Sequence, residues 1–351
     1  FSHFLPKEEK NLRLSSLSNY FVSPKTSKWP KPNCTTNTSP TFVITGTTSG
    51  TGNAAARAVA KLGGVAVLLN RTSERSKNSL ASLQKEFPDA TFVPIECDLQ
   101  SFASVRKAAD EIKDKYKSLH CVACNAGIMA TPDKATVDGY DTQMQTNHLS
   151  HFLLVEELMP LIEAEAKSNG DARIVTHSSS GRDWCNTPDK GLDARYFGKN
   201  GGNLGGDEKG NRMFTGPAFD RYFQTKLANS VHMYGLHKKF QESGSNTRAV
   251  SAHPGGSNTN LGDNVDFGFF SNILFKLLFP LLTQTPEDGS IGLIKGMMDP
   301  EAKSGVLYGP KNSGTSGPAV PNPPKEYENN PKAIEMLWKT STEAVAPFRS
   351  S

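Results

Sequence analysis

A short apolar strand that ends in a glycine-rich turn and runs directly into a helix constrains this chain more than any other feature. Thr41-Phe-Val-Ile-Thr45 is β-branched and apolar, and Gly46-Thr-Thr-Ser-Gly50-Thr-Gly52 separates it from the helix-like Asn53–Leu62. The alternation then repeats. Val65–Leu69 and Thr91–Ile95 read as buried strands, Ser73–Phe87 and Phe102–Lys117 as helices. His120–Ala123, Arg173–His177 and Arg248–Ala252 are further strands, with helices expected at about 138–168 and 219–242. Near-continuous apolar strands joined by helices imply a parallel sheet covered on both faces, because each parallel connection needs a crossover. The expected fold class is therefore α/β, a doubly wound parallel sheet forming a single domain over residues 41–351.

Composition narrows the function classes. With 36% hydrophobic and 21% charged residues in 351, the chain is neither disordered, collagen-like nor a multi-span membrane protein. Its 39 basic and 35 acidic residues leave +4, and residues 1–40 account for all of it. The neutral body gives no reason to expect nucleic acid as a partner. Residues 1–40 are basic and rich in Ser, Thr and Pro, as in an organelle targeting segment for plastid or mitochondrion or in a disordered arm; a cytoplasmic location fits the second. The chain opens at Phe1, which suggests processing or an excerpt. No apolar run reaches the roughly 18–20 residues of a membrane span.

Glycines 46, 50 and 52 let the first turn bend sharply and bring helix N–H groups, with the Thr48 and Ser49 hydroxyls, against a pyrophosphate. After the second strand comes Asn70-Arg71, with no acid until Glu74. A carboxylate at this point would bond a ribose 2′-hydroxyl, whereas an arginine suits a 2′-phosphate, so NADP(H) is the expected cofactor unless Arg71 is simply solvated. Tyr222-Phe-Gln-Thr-Lys226 puts a phenol and an ammonium one turn apart on a helix face. A nearby ammonium is expected to lower the phenol's pKa toward working pH, so that Tyr222 can exchange a proton with a substrate oxygen. Tyr234 and Lys238 share this spacing but lie 12 residues on, about 18 Å along the helix, too far for the same site.

The glycine spacing resembles the T-G-x-x-x-G-x-G signature of the short-chain dehydrogenase/reductase family, and the resemblance runs from about Thr41 to Val345. It implies a Rossmann fold and a catalytic set of Asn147, Ser179, Tyr222 and Lys226, with Lys226 also holding ribose hydroxyls. Ser178 is the alternative to Ser179, and Asn147 could instead be a helix-interior polar group bonding backbone. Asp98 matches an adenine-side aspartate. Asn125, Ala126 and Gly127 match an N-N-A-G motif whose first Asn is here Cys124. His253-Pro254-Gly255-Gly-Ser-Asn-Thr259 resembles a P-G-x-x-x-T segment that implies Pro254, Gly255 and Thr259 beside the nicotinamide.

The stretches at 138–154, Lys226-Leu-Ala-Asn229 and Ile334–Ser341 are similar to the retinol-dehydrogenase-like branch. That resemblance implies interconversion of an alcohol and a carbonyl on a lipophilic small molecule. The long loop at about 183–218 and the apolar run before Pro280 also resemble light-dependent protochlorophyllide reductases, the first alternative. A non-catalytic nucleotide-binding subunit of a larger assembly is the second. Residues 260–284, with Phe267–Leu282 the apolar part, suggest a lid over the substrate, a peripheral membrane contact, or a core or homo-oligomer face. No metal is expected, since His148 and His151 alone make a poor ligand set. Cys121 and Cys124 should face opposite sides of a strand, and Cys185 is either a thiol near the pocket or an inert loop residue.

Overall fold

The computed structural model describes residues 39–199, 214–255, 285–312 and 314–350. Its first strand, β1 (Thr41–Thr45), is buried along its whole length. Alternate side chains enter opposite layers: Val43 joins one apolar cluster, Phe42 and Ile44 the other. The chain then continues through α1 (Gly50–Lys61), β2 (Val65–Asn70), α2 (Glu74–Glu86), β3 (Thr91–Glu96), α3 (Phe102–Lys115) and β4 (Cys121–Cys124). After α4 (Ser150–Asn169) come β5 (Ala172–His177), α5 (Pro217–Ser243) and β6 (Thr247–Ala252). The described chain closes with α6 (Ile291–Met298), β7 (Val306–Asn312), β8 (Ser316–Asn322) and α7 (Pro331–Val345).

The eight strands form one sheet in the order β3-β2-β1-β4-β5-β6-β7-β8, parallel except for β8. Strand order reverses between β1 and β4, so a crevice opens at their carboxyl ends. The doubly wound α/β expectation therefore holds. The sequence signal missed β7 and β8, because Gly309, Pro310, Pro318 and Pro321 interrupt them. Pro318 and Pro321 are tolerated because β8 lies at the sheet edge, where a missing donor costs little, and Pro310 lies beyond the part of β7 that pairs with β6, next to a register irregularity with β8.

Two expected helices differ in ways that shape the site. The segment predicted at 138–168 is not one helix. Asp141 caps a single turn at Thr142–Met144, a π-helical turn follows at Gln145–Leu149, and only then does α4 begin. The helix expected at about 219–242 starts at Pro217, opened by Gly216 and Pro217, which puts Tyr222 in the second turn of α5. Near the middle of α5, Gly235 admits Trp338 of α7; a Cβ there would sit 2.1 Å from the indole.

Residues 1–38 of the expected leader, 200–213 of the long loop and 256–284, with Thr259 and the apolar run 267–282, lie outside the described residues. Among the described residues, no helix is long and apolar enough to cross a membrane.

Candidate active site

The first turn closes onto the end of β4 because two of its glycines have nowhere to put a side chain. Gly46 adopts φ +71°, and a Cβ there would lie 2.8 Å from the Ala126 Cβ. A Cβ on Gly52 would meet the Gly46 carbonyl oxygen at 2.2 Å and Asn125 Nδ2 at 2.4 Å. Asn125 pins this arrangement. Its Nδ2 donates to the Thr45 and Gly46 carbonyls at 2.9 and 3.2 Å, while its Oδ1 accepts from Thr51 and pairs with His177 Nδ1. Asn125 thus works chiefly as a strut between strands, in addition to lining the crevice.

The crevice is a cleft of about 550 Å³ at the carboxyl ends of β1, β2 and β4. Its floor is the glycine loop, with Gly46, Thr48, Ser49 and Gly50. Arg71 and Asp98 line the outer part, Ala126 and Gly127 one wall, and Tyr222, Lys226 and Pro254 the inner end. Sequence reading missed Arg75, in the first turn of α2. It lines the same cleft and hydrogen-bonds Ser49 Oγ. Ser49 precedes α1 without capping it, which leaves its hydroxyl free for Arg75. An exposed-helix arginine gives no pattern of its own in sequence; its partner is 26 positions away. Gly255, next to Pro254 of the cleft, turns at φ +65° against Pro310 and the Thr315 carbonyl.

At the inner end three elements converge. The phenol of Tyr222 is hydrogen-bonded to Ser179. Lys226 Nζ lies 5.5 Å from the centre of the Tyr222 ring and donates to the His177 carbonyl at 3.1 Å. Asn147, in the π-helical turn, is fully buried: it accepts from the Ile128 amide and donates to the Ile128 carbonyl and Thr225 Oγ1. It makes the backbone bonds of an interior polar group, yet it stands beside the site. A Cβ on Gly127 would be 3.3 Å from both Asn147 Oδ1 and Lys226 Nζ. Ser178 also lines the cleft, but its Oγ is engaged, donating to the Lys226 carbonyl and accepting from Ser230.

One electrostatic expectation is overturned. Burial pushes the Tyr222 phenol up to about 12, and only the Ser179 hydrogen bond works the other way. The ammonium sits over the ring rather than at the phenolic oxygen. Burial also lowers Lys226 to about 8. Tyr222 is thus held as a phenol, ready to donate. Tyr234 is buried elsewhere on α5, its hydroxyl influenced by Glu328 and Arg182.

The remaining polar candidates are engaged structurally. His148 bonds Asn229 and Ser341, and His151 bonds Thr45 and the Asn147 carbonyl. Cys121 and Cys124 enter opposite apolar layers. Cys185 is buried and its thiol pushed up to about 12, so it is a poor nucleophile.

Comparison with known proteins agrees with this geometry. Residues 40–183 match the family model described as short chain dehydrogenase. A short-chain dehydrogenase/reductase of Armillaria gallica is 30% identical over 278 residues, which are 75% of this chain and 84% of that protein. The chain is a short-chain dehydrogenase/reductase. It is therefore an oxidoreductase that uses a nicotinamide cofactor. This dehydrogenase/reductase is also 29% identical to mouse retinol dehydrogenase 14, over 87% of the chain and 82% of that protein. Among solved structures, an uncharacterised protein of Mycobacterium paratuberculosis superposes with a TM-score of 0.65 at 25% identity, covering 88% of this chain and 94% of that one.

Proposed function

We propose that the protein is an NADP(H)-dependent oxidoreductase that interconverts an alcohol and a carbonyl on a lipophilic substrate, with Tyr222 donating the proton in reduction and accepting it in oxidation. The observation that carries this reading is the Tyr222–Ser179 hydrogen bond at the inner end of a cleft floored by glycines. A substrate oxygen placed between those two hydroxyls would be polarised by one and protonated by the other. The nicotinamide, when bound, supplies or accepts the hydride.

The cleft suits such a nucleotide: a Cβ at Gly46 or Gly52 would fill the loop that must cradle phosphates. Arg71 and Arg75 line its outer end, and no carboxylate stands between them except Glu74. That pair supports NADP(H) over NAD(H), because guanidinium groups match a 2′-phosphate and a carboxylate would repel it. The Lys226 ammonium can hold ribose hydroxyls, and Asn147 keeps the Ile128 main chain, Thr225 and the neighbourhood of Lys226 fixed. The name of retinol dehydrogenase 14 supports a lipophilic alcohol as the substrate class.

The test is a panel of aldehydes and ketones offered with NADPH or NADH to the wild type and to Tyr222→Phe. Turnover with NADPH that falls about 10²–10⁴-fold in the variant, with nucleotide affinity retained, is expected. Two outcomes would displace the reading: reduction of protochlorophyllide only under light, or NADPH binding without turnover of any carbonyl compound.

A further inference from the structure

We infer that Trp184, Phe214 and Phe223 form a subsite for an unsaturated planar ring of the substrate, beginning beside Ser179 and ending at the protein surface. The inference takes the alcohol/carbonyl reading as given and specifies the substrate class. It starts from a glycine. Gly181 donates its N–H to Ser179 Oγ at 3.1 Å, and a Cβ on Gly181 would be 2.7 Å from the Phe223 ring and 3.6 Å from Ser179 Oγ. Only glycine at that position lets the Phe223 ring come so close to the hydroxyl that meets the substrate oxygen.

From Phe223 the rings continue outward. Its centroid lies 6.0 Å from that of Tyr222 and 5.6 Å from that of Trp184, which in turn is 5.6 Å from Phe214. All three contacts are edge-to-face, with interplanar angles of 60°, 86° and 64°. Phe219 backs the group from inside, 5.9 Å from Phe223 and 5.7 Å from Phe214. The inner rings are buried, yet Trp184 is 50% and Phe214 39% exposed, two of the three large apolar side chains left that open among the described residues. A series of rings that begins at a reactive hydroxyl and ends half in water is a wall awaiting an apolar neighbour.

The backbone points the same way. Phe214 adopts φ +58°, a left-handed conformation that bulky residues rarely hold. Such strain persists where the surroundings over-determine it, commonly at ligand sites. Here it brings the Phe214 ring against both Trp184 and Phe219.

Aromatic walls discriminate by ring chemistry. A saturated ring is at least as hydrophobic as an aromatic one, so area alone gives no preference for the flat ring. Edge-to-face pairing adds a preference of about two- to tenfold in affinity for an aromatic partner.

The experiment compares 3-phenylpropanal with 3-cyclohexylpropanal, whose carbonyls are equally unconjugated, and measures binding of the two corresponding alcohols by ligand-observed NMR. The wild type should favour the phenyl compound about two- to tenfold in kcat/KM and in binding, and Trp184→Leu, which keeps apolar bulk, should bring both ratios to about one. Equal treatment of the two rings by the wild type overturns the subsite. So does a Trp184→Leu variant that keeps the preference, or one that changes only sedimentation or flotation with phosphatidylcholine vesicles, which would assign the rings to a second copy or a lipid surface. Phenyl preference in binding without turnover of either aldehyde would uphold the subsite and overturn the carbonyl reading instead.

Discussion

Arg182 and Glu328 form a buried ion pair, their side chains 4% and 1% exposed, and the same guanidinium donates to the Ser179 carbonyl at 3.0 Å. The segment before α7 thereby holds the loop that carries Ser179. Asp183 adds a second tie, to Lys325 at 2.6 Å and Tyr327 at 2.8 Å. Glu328→Gln would leave the guanidinium charge buried without its counter-ion, costing about 3–5 kcal/mol in a urea unfolding measurement. Arg182→Lys keeps the charge but loses the fork that serves both partners at once. It should lower kcat about tenfold through Ser179, with a smaller loss of stability. Unchanged kcat would detach Arg182 from the site.

Gly52→Ala tests the closure of the glycine loop. The added Cβ would press on the Gly46 carbonyl and on Asn125, both of which fix the turn against β4. The loop must then move by about an ångström, and misplacement on that scale costs about 100-fold. NADPH titration should show that loss while circular dichroism retains the native signal. Wild-type affinity in the variant would mean that the loop does not form the nucleotide floor.

Lys226 should give the protein two opposite responses to alkaline pH. Burial lowers its pKa from 10.5 to about 8, so the ammonium is present below about pH 8 and lost above it. Between pH 8 and 10.5 the unfolded chain binds more protons at this group than the folded one, so its contribution to stability rises with pH. The cationic partner for ribose hydroxyls disappears over the same range. NADPH affinity should therefore weaken above pH 8 while the Lys226 contribution to unfolding free energy improves. Lys226→Met should flatten both trends, and a pH-independent affinity in the wild type would contradict this account.

What could be read from the sequence follows the range of the interactions concerned. The glycines of the first turn, the strands of the parallel sheet and the pairing of Tyr222 with Lys226 are written in spacings of a few residues. The acidity of Tyr222 is not, because burial of the phenol depends on how α5 packs against the Ser179 loop. Arg182 meets a partner 146 positions away, and Arg75 one at 26. Neither pairing leaves a local trace. The proline-broken β7 and β8 are strands only because β6 already offers an edge to extend. Asn147 lies between the two cases: the motif located it, but the π-helical turn that aims it came from packing.

Arg71 and Arg75 make nucleotide choice separable from catalysis. Arg71 follows β2 and is exposed, whereas Arg75, in the first turn of α2, already shares a hydrogen bond with Ser49. Asn70, the last residue of β2, is tied to Thr47 through both its amide nitrogen and its carbonyl, so it offers the ribose nothing that would select NAD. A charge-assisted contact to a 2′-phosphate is worth about 1.5–3 kcal/mol, so Arg71→Ala should reduce the ratio of kcat/KM for NADPH to that for NADH about 10- to 100-fold. Arg75→Ala should reduce it less, because that side chain must partly release Ser49 to reach the phosphate. The double variant should lose more than either alone, with NADH kinetics close to wild type throughout. Steady-state measurements with both nucleotides decide it: an equal loss for NADPH and NADH would show that the arginines shape the cleft rather than recognise the phosphate.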